Sequence, residues 1–267
     1  MEPKGGQRAS DGGYKNIIYT VEDGACIILL NRPQRKNAIT MEMFAEIGSA
    51  LIAAGKDPNV VIAVITGAGE YYSSGNDLAN FMHGNIQELA ASGQKTVQDM
   101  ISAFIDFPKP LIAAVNGPAI GIAVTTLALC DVVYSSDKAT FHTPFTSLGQ
   151  SPEGCSSILF PRIMGQAKAN EVLLFGRKMT AKEALERGFV AEVFPDSQFQ
   201  TEVQKRIKEY AGLPKNSLRL SKELIRGLDR ELLHQVNNKE FEVLAETSTS
   251  EECLQAIMNF FAKKSKL

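Results

Sequence analysis

Runs of apolar residues alternate with helical patterns along most of the chain. Residues 60–67, VVIAVITG, form an uninterrupted apolar run that ends in glycine, a pattern typical of a strand in a sheet covered on both faces. Before this run, Thr40 is a candidate helix N-cap. Apolar side chains then recur on one helical face: Phe44, Ile47, Leu51 and Ala54. Strands separated by helices need crossover connections, so the pattern predicts an α/β layered fold.

The same reasoning predicts the remaining elements. Two β-rich runs at 14–20 and 26–30 flank the turn EDG and predict an opening hairpin. Thr180 and Glu183 have the spacing of a capping box. Also predicted are a helical region up to about Phe107, strands at 110–115, 132–135 and 189–194, an extended piece at 140–143, and a helix at 120–130. From 197 onward we expect three or four helices, and helices segregated at one end of a domain often serve assembly.

The chain is expected to form one domain with terminal extensions. Residues 1–13 are polar and glycine-rich and predict a flexible tail, 14–196 the α/β core, and 197–264 a C-terminal helical region. The last three residues, Ser265, Lys266 and Leu267, match the receptor-read peroxisomal address. They predict a location in the peroxisomal matrix and an import receptor as a partner.

Residues 110–130 carry no charge over a length that could cross a membrane. Asn116, Gly117 and Pro118 divide this stretch into a short apolar strand and a following helix, as in a buried strand-turn-helix unit. The balance of 28 Lys and Arg against 30 Asp and Glu gives no reason to expect nucleic acid or a membrane surface as the main partner. We therefore expect no membrane insertion and no nucleic-acid binding.

Familiar cofactor motifs are missing from the sequence. It contains no GxGxxG, GxxxxGK[ST], HExxH or CxxC, and His83, His142 and His234 are widely separated. The four cysteines are far apart in mostly apolar contexts, which predicts free thiols. Neither a metal nor a redox cofactor is expected.

Two glycine-containing loops follow predicted buried strands, where ligands usually bind in α/β sheets. In SSGND, 73–77, Gly75 lets the backbone turn sharply and exposes the N–H of Asn76. In NGPAIGIAV, 116–124, Gly121 and Ile122 fall at a helix start, where N–H groups have no intrahelical partner. One donor from each loop would form an oxyanion hole. A plain polar turn, or glycines needed only for packing, accounts for each loop taken alone.

Glu153 is an isolated carboxylate in SPEGCSS, 151–157. Ser151 as N-cap and Pro152 at the next position predict a helix start, so Glu153 has a structural alternative: it only complements the helix dipole. Burial among apolar groups would raise its pKa, and the helix N-terminus would lower it. We expect a carboxylate that is ionised at rest.

With four further segments, these stretches resemble the crotonase (enoyl-CoA hydratase/isomerase) superfamily over nearly the whole chain from about residue 15. The further segments are NRPQRKNAIT at 31–40, KPLIAAVNGPAIGIAV, CDVVYSSDKATF and MTAKEALERGFVAEVF. Within the superfamily, SPEGCSS and the terminal SKL look most like the peroxisomal Δ3,Δ2-enoyl-CoA isomerases.

The resemblance implies a spiral of ββα units, a C-terminal helical trimerisation region and an acyl-CoA substrate. It also implies that the amides of Asn76 and Ile122 hold the thioester oxygen and that Glu153 is the catalytic base. The other substrate-binding positions it implies are Ser74, Gly75, Asp77, Leu78, Gly121, Arg35, Lys36 and Ala38. Arg32, Arg35 and Lys36 are candidates to meet the CoA phosphates, with solvated surface charge as the alternative. Phe81, Met82 and Phe145 are candidates for the walls of an acyl tunnel, with ordinary core as the alternative.

Hydratases of the superfamily use two glutamates, and the corresponding positions here are Thr125 and Phe145. The resemblance therefore implies an isomerase that converts 3-cis- or 3-trans-enoyl-CoA to trans-2-enoyl-CoA in β-oxidation of unsaturated fatty acids. It would use one glutamate and no cofactor, since CoA is part of the substrate, and would assemble as a homotrimer. Two alternatives stay open: an enoyl-CoA hydratase with an acid not yet identified, and a non-catalytic acyl-CoA-binding or scaffold module.

Overall fold

The computed structural model describes residues 13–77 and 86–264, without the side chains of 86–92, 261, 263 and 264. Several sequence predictions lie outside the described residues: the tail at 1–13 except Gly13, the terminal signal at 265–267, and the roles of Leu78, Phe81 and Met82.

The elements follow the predicted alternation of strands and helices. The strands are β1 Ile17–Glu22, β2 Ala25–Leu30, β3 Ile62–Gly67, β4 Leu111–Val115, β5 Ala119–Ile120, β6 Val132–Ser136, β7 Thr140–His142, β8 Met179–Thr180 and β9 Glu192–Phe194. The helices are α1 Met41–Lys56, α2 Ile86–Asp106, α3 Ile122–Thr125, α4 Ser156–Met164, α5 Gln166–Leu173, α6 Ala181–Glu186, α7 Asp196–Ala211, α8 Lys215–Arg226, α9 Arg230–Ser248 and α10 Glu251–Lys264. Thr40 caps α1 through its side chain, and Thr180 with Glu183 forms the predicted capping box of α6.

The larger sheet has the strand order β1-β2-β3-β4-β6-β9. Strand β1 is antiparallel to β2, and the later neighbours pair in parallel. Alternate residues of β3 face opposite sides: Ala63 and Ile65 join the main core, whereas Ile62 and Val64 pack in a second cluster with Phe199 of α7. The prediction that this sheet is covered on both faces is confirmed.

Short extended segments form a second layer. The smaller sheet has the order β5-β7-β8, and isolated bridges join Ile39 to Asn76 and Ser73 to Ala119. Long strands are thus followed by a short extended segment and then by a helix. The predicted α/β fold of ββα units is confirmed.

Some predicted elements are shorter than expected. The helix predicted at 120–130 is one short turn, α3, followed by a 3-10 helix over Thr126–Leu129. The strand predicted at 189–194 begins only at Glu192, because the amides of Phe189 and Val190 donate to the Ala184 carbonyl at the end of α6. Among the described helices, none is both long and apolar enough to cross a membrane.

The C-terminal region contributes to the core as well as to the surface. Helix α9 packs against α2 and contacts α4, and its side chains Leu233 and Phe241 are buried. Helix α8 instead ends in exposed apolar side chains, with Leu224 78% and Ile225 75% exposed. The four cysteines are buried free thiols, as predicted.

Candidate active site

The two glycine-containing loops lie side by side beyond β3 and β4. The Ser73 amide donates to the Pro118 carbonyl at 3.3 Å, and the Ile120 amide donates to the Ser73 carbonyl at 3.0 Å. Gly75 has a φ of +80°, and a Cβ added there would lie 2.4 Å from the Ile120 carbonyl oxygen. Glycine is therefore required at 75 both by the turn and by the close approach of the loops.

The segment between β2 and α1 holds the 73–77 loop from its other side. The Ile39 amide donates to the Gly75 carbonyl at 2.8 Å, and the Ser74 amide donates to the Lys36 carbonyl at 2.9 Å. The Ser73 hydroxyl donates to the Asn37 carbonyl at 2.7 Å. The predicted positions Ser74, Gly75, Lys36 and the neighbouring Ala38 are thus brought together by main-chain hydrogen bonds.

Asn37 anchors this arrangement, although the sequence reasoning gave it no role. Its side chain is fully buried, its φ is +52°, and its Nδ2 donates to the carbonyls of Ala68, Tyr71 and Tyr72. Its Oδ1 accepts from the Arg32 amide at 2.9 Å. The signal in the sequence is weak, because asparagine tolerates a left-handed backbone in many turns that carry no function.

Replacing Asn37 by Ala is expected to lower the free energy of unfolding by about 3 kcal/mol, because buried carbonyl and amide groups lose their partner. Denaturant unfolding of the purified variant measures the change. The exposed Asn59 provides the control, since Asn59→Ala should change stability by no more than about 0.5 kcal/mol. Equal effects of the two substitutions would contradict the anchoring role.

The predicted cationic residues have different surroundings. Arg32 Nη1 forms an ion pair with Asp77 at 3.2 Å and also donates to the Ala38 carbonyl, so its guanidinium braces the loops. Arg35 is exposed, and the Lys36 ammonium lies 5.0 Å from the centroid of the Tyr71 ring. Arg35 and Lys36 are therefore exposed, as both a phosphate-binding role and plain surface charge require.

The second donor segment has the predicted geometry. Gly121, with a φ of +60°, is the N-cap of α3, and its amide donates to the His142 carbonyl at 2.8 Å. The next amide, that of Ile122, makes no hydrogen bond to any of the described residues. The space beside Gly121 is open, because no atom lies within 4 Å of the position of an added Cβ. An amide directed at a developing oxyanion needs this access.

Glu153 lies outside a helix, contrary to the prediction. Helix α4 begins at Ser156 with Cys155 as its N-cap, and Glu153 belongs to the preceding turn, where its carbonyl accepts from the Ser156 hydroxyl at 2.7 Å. The Glu153 side chain is partly exposed and makes no hydrogen bond within the described part of the chain. The adjacent Gly154 packs on Thr125 of α3, whose Oγ1 would lie 2.6 Å from an added Cβ. This contact places the turn that contains Glu153 beside the second loop.

The helix amides assigned to Glu153 by the sequence reasoning are bonded to Glu240 of α9. Glu240 Oε2 accepts from the Cys155 amide at 2.7 Å, and its Oε1 accepts from the Ser157 amide at 2.9 Å. Because the acceptor that caps α4 lies 85 residues further along the chain, the sequence around α4 gives no indication of it. The available signal was a glutamate on the buried face of an amphipathic helix, in line with Leu233 and Phe241.

Burial raises the pKa of Glu153 to about 8, and the negative charge of Glu240 adds to this effect. The expected lowering by the helix N-terminus is missing because Glu240 accepts from those amides. The expectation of an ionised resting carboxylate is therefore wrong near neutral pH, where the protonated form predominates. The ionised form becomes the majority only above about pH 8.

A small apolar cavity borders these loops. Its lining residues include Ile39 and Tyr72 on one side and Ile122 and Ala123 on the other. Phe145, the predicted tunnel wall, is buried in the main core. Over residues 13–77 and 86–264, no group of three or more His, Cys, Asp or Glu side chains is arranged to hold a metal ion.

The chain is similar to known proteins over nearly its whole length. A sequence model described as enoyl-CoA hydratase/isomerase matches residues 20–266. The human protein enoyl-CoA delta isomerase 2 is 56% identical over 96% of this chain, which spans 65% of that protein. The mouse protein enoyl-CoA delta isomerase 3, peroxisomal, is 51% identical over 99% of this chain and 84% of its own length.

A solved structure has the same fold. The crystal structure of an enoyl-CoA hydratase/isomerase from Pseudoalteromonas atlantica T6c superposes with a TM-score of 0.87 at 35% identity, covering 93% of this chain and 98% of that one. The fold agrees with the match along the sequence. The chain belongs to the enoyl-CoA hydratase/isomerase family.

Proposed function

We propose that the protein moves the double bond of a 3-enoyl-CoA to position 2, giving trans-2-enoyl-CoA. Glu153 removes a proton from C2 of the thioester, the electrons spread over a dienolate, and the same proton returns at C4 as the C2–C3 double bond forms. One carboxylate serves both steps because C2 and C4 lie on the same face of the bound chain. Atoms and charge balance without a cofactor, so we propose none.

The observation that carries this proposal is a glutamate without a hydrogen-bonding partner among the described residues, in a turn that packs against the second loop. Glu153 is partly exposed, and its side chain makes no hydrogen bond to a described residue that would compete for a substrate proton. Its pKa of about 8 suits a base that must hold a carbon-derived proton and then release it.

The two main-chain donors complete the proposed chemistry. Removing the C2 proton places negative charge on the thioester oxygen, and the amides of Asn76 and Ile122 are proposed to stabilise it. Each such donor contributes about 3 to 4 kcal/mol to other reactions with oxyanion intermediates. The contact between Gly75 and Ile120 supports this role, because it holds the two loops in a fixed relation before substrate binds.

The side chains at the family's hydratase positions favour isomerisation over water addition. Thr125 donates its hydroxyl proton to the Ile122 carbonyl at 3.2 Å and contacts Gly154, and Phe145 is buried. Neither supplies a second acid or base for a water molecule. A single carboxylate is sufficient for isomerisation but not for the two-carboxylate hydration.

The substrate is proposed to be an acyl-CoA. The exposed Arg35 and Lys36 would meet its phosphates, and Ser74, Gly75, Asp77, Leu78, Gly121 and Ala38 would line the thioester region. The similarity to the human and mouse enoyl-CoA delta isomerases supports an enoyl-CoA substrate.

We also propose that the protein works in the peroxisomal matrix in β-oxidation of unsaturated fatty acids. The residues Ser265, Lys266 and Leu267 and the similarity to the mouse peroxisomal isomerase support this location and an import receptor as partner. A homotrimer formed through the 197–264 helical region, beside a 14–196 core, is proposed from the exposed apolar end of α8.

The purified protein is expected to convert 3-cis- and 3-trans-enoyl-CoA to trans-2-enoyl-CoA, followed by chromatography with mass detection. When it is incubated with trans-2-enoyl-CoA, no 3-hydroxyacyl-CoA should form, because a second acid is missing at 125 and 145. Formation of 3-hydroxyacyl-CoA would make the protein a hydratase. Tight binding of acyl-CoA without any product would make it a non-catalytic binding module.

A further inference from the structure

Glu240 is a buried carboxylate that the proposed reaction does not use directly. It lies on α9, is 6% exposed, and its two oxygens accept from the amides of Cys155 and Ser157. Those amides belong to the start of α4, directly after the turn that contains Glu153. Glu240 therefore fixes the position of the segment that carries the proposed base.

Helix α4 has no capping side chain of its own. Its N-cap residue Cys155 has a φ of +59° and makes no side-chain capping hydrogen bond. A carboxylate is the strongest acceptor for exposed helix amides and is stabilised by the positive end of the helix dipole. Since Glu240 fills this position, the dipole stabilises the ionised form of Glu240 and not that of Glu153.

The two carboxyl groups consequently differ in protonation: Glu240 carries the negative charge and Glu153 carries the proton. Burial raises the pKa of Glu240, and its hydrogen bonds from Ser157 and Cys155 oppose that rise. Glu153 has no such donors among the described residues, and the charge of Glu240 disfavours its ionisation. When two like charges interact in a buried site, the group with fewer donors retains the proton.

No other charged group acts comparably on Glu153 within the described residues. Burial and the charge of Glu240 raise the pKa of the Cys155 thiol, and Arg226 of α8 only partly opposes that rise. The Arg226 guanidinium donates to the Ala128 and Leu129 carbonyls. The Cys155 thiol donates to the Leu233 carbonyl of α9 at 3.4 Å. Glu240 is thus the charged neighbour that acts on the proposed base.

We propose that Glu240 is a positioning residue: it holds the turn that carries Glu153 and places a fixed negative charge beside it, which keeps Glu153 a strong base. This inference rests on the proposed function of Glu153. It assigns part of the catalytic apparatus to the C-terminal helical region, where the sequence pattern indicated assembly alone.

The test is the pH profile of kcat/KM for 3-enoyl-CoA in Glu240→Gln and in a matched control. Without the charge of Glu240, the midpoint of the rising limb should fall by about one pH unit. Because a weaker base is also less reactive, we expect activity about threefold higher at pH 6 and about threefold lower on the alkaline plateau. A general loss of folded enzyme would scale the profile down without moving its midpoint.

Glu46→Gln is the matched control. Glu46 is 9% exposed and also accepts from two backbone amides, those of Lys15 and Asn16, at 2.7 and 2.9 Å. Its replacement also removes a buried carboxylate that accepts from two backbone amides, but at a position that has no contact with the Glu153 turn. The midpoint in this variant should match that of the unmodified protein.

A second readout separates this inference from the proposed function. The infrared carbonyl band of protonated Glu153, identified by its loss in Glu153→Gln, should titrate near pH 8 and should titrate lower in Glu240→Gln. A folded Glu240→Gln protein whose band and midpoint do not move would overturn the inference, even with Glu153 established as the base. Full activity of Glu153→Gln would instead refute the proposed function, while the band would still report the effect of Glu240.

If Glu240→Gln fails to fold, Glu240→Ala is measured in the same way, because the smaller side chain leaves room for water to accept from the two amides. The inference again requires that the midpoint of the kcat/KM profile and the titration of the Glu153 infrared band both move to lower pH. An unmoved band in that variant overturns the inference equally.

Discussion

Glu153→Gln is expected to lower kcat/KM for 3-enoyl-CoA by about 10²- to 10⁴-fold, the usual contribution of a positioned general base. Glutamine retains the size of the side chain but cannot accept the C2 proton. Binding of a saturated acyl-CoA, measured by calorimetry, should change little because the proposed oxygen donors are main-chain amides.

The same substitution should change how stability depends on pH. The pKa of Glu153 is raised from 4.5 to about 8 in the folded protein, so its stabilising contribution is complete below about pH 4.5 and is lost as pH rises through 8. Thermal unfolding of Glu153→Gln should therefore show a gain over the unmodified protein that grows between pH 5 and pH 9. Glu46→Gln should show neither this gain nor the loss of turnover. Near-normal turnover by folded Glu153→Gln would refute the base assignment.

Gly75→Ala is expected to lower kcat by about 10²- to 10³-fold, the cost of losing one oxyanion donor. The new Cβ would lie 2.4 Å from the Ile120 carbonyl oxygen, a backbone atom that cannot move without its loop. The loops bearing Asn76 and Ile122 must then separate, and the proposed oxyanion hole loses one of its donors. Steady-state kinetics with 3-enoyl-CoA measures the loss.

Gly165→Ala provides the control for backbone strain. Gly165 has a φ of +77°, close to the +80° of Gly75, but no atom lies within 4 Å of an added Cβ. Both variants carry the conformational cost of a side chain at positive φ, and only Gly75→Ala forces the loops apart. Equal kcat values in the two variants would show that the close approach at Gly75 does not matter for the chemistry.

Helix caps, the strand β3 and the glycine turns were predictable because they depend on residues close together in the sequence. Thr40 and Thr180 cap helices because the acceptor and its amide are three residues apart. The apolar run at 60–67 became β3 because its residues fill both faces of the sheet. The turn at Gly75 and the helix start at Gly121 were also predictable, because glycine readily adopts the positive φ found at both positions.

The errors arose where a distant residue determines the local structure. Ser151, Pro152 and Glu153 form a good sequence for a helix start, yet α4 begins later because Glu240 supplies its cap from α9. The pKa of Glu153 depends on that same residue, so its direction could not follow from the SPEGCSS segment. Asn37 was missed because its partners, the carbonyls of Ala68, Tyr71 and Tyr72, come together only in the folded protein.

The bridges that join Ile39 to Asn76 and Ser73 to Ala119 make the loop region an extension of the sheet. Main-chain pairing there is supported by the buried Asn37 side chain and by the glycine at 75. The side chain of Ile122 lines the adjoining cavity, so a different residue at 122 would reshape that cavity while the main-chain pairing of the two loops stays in place.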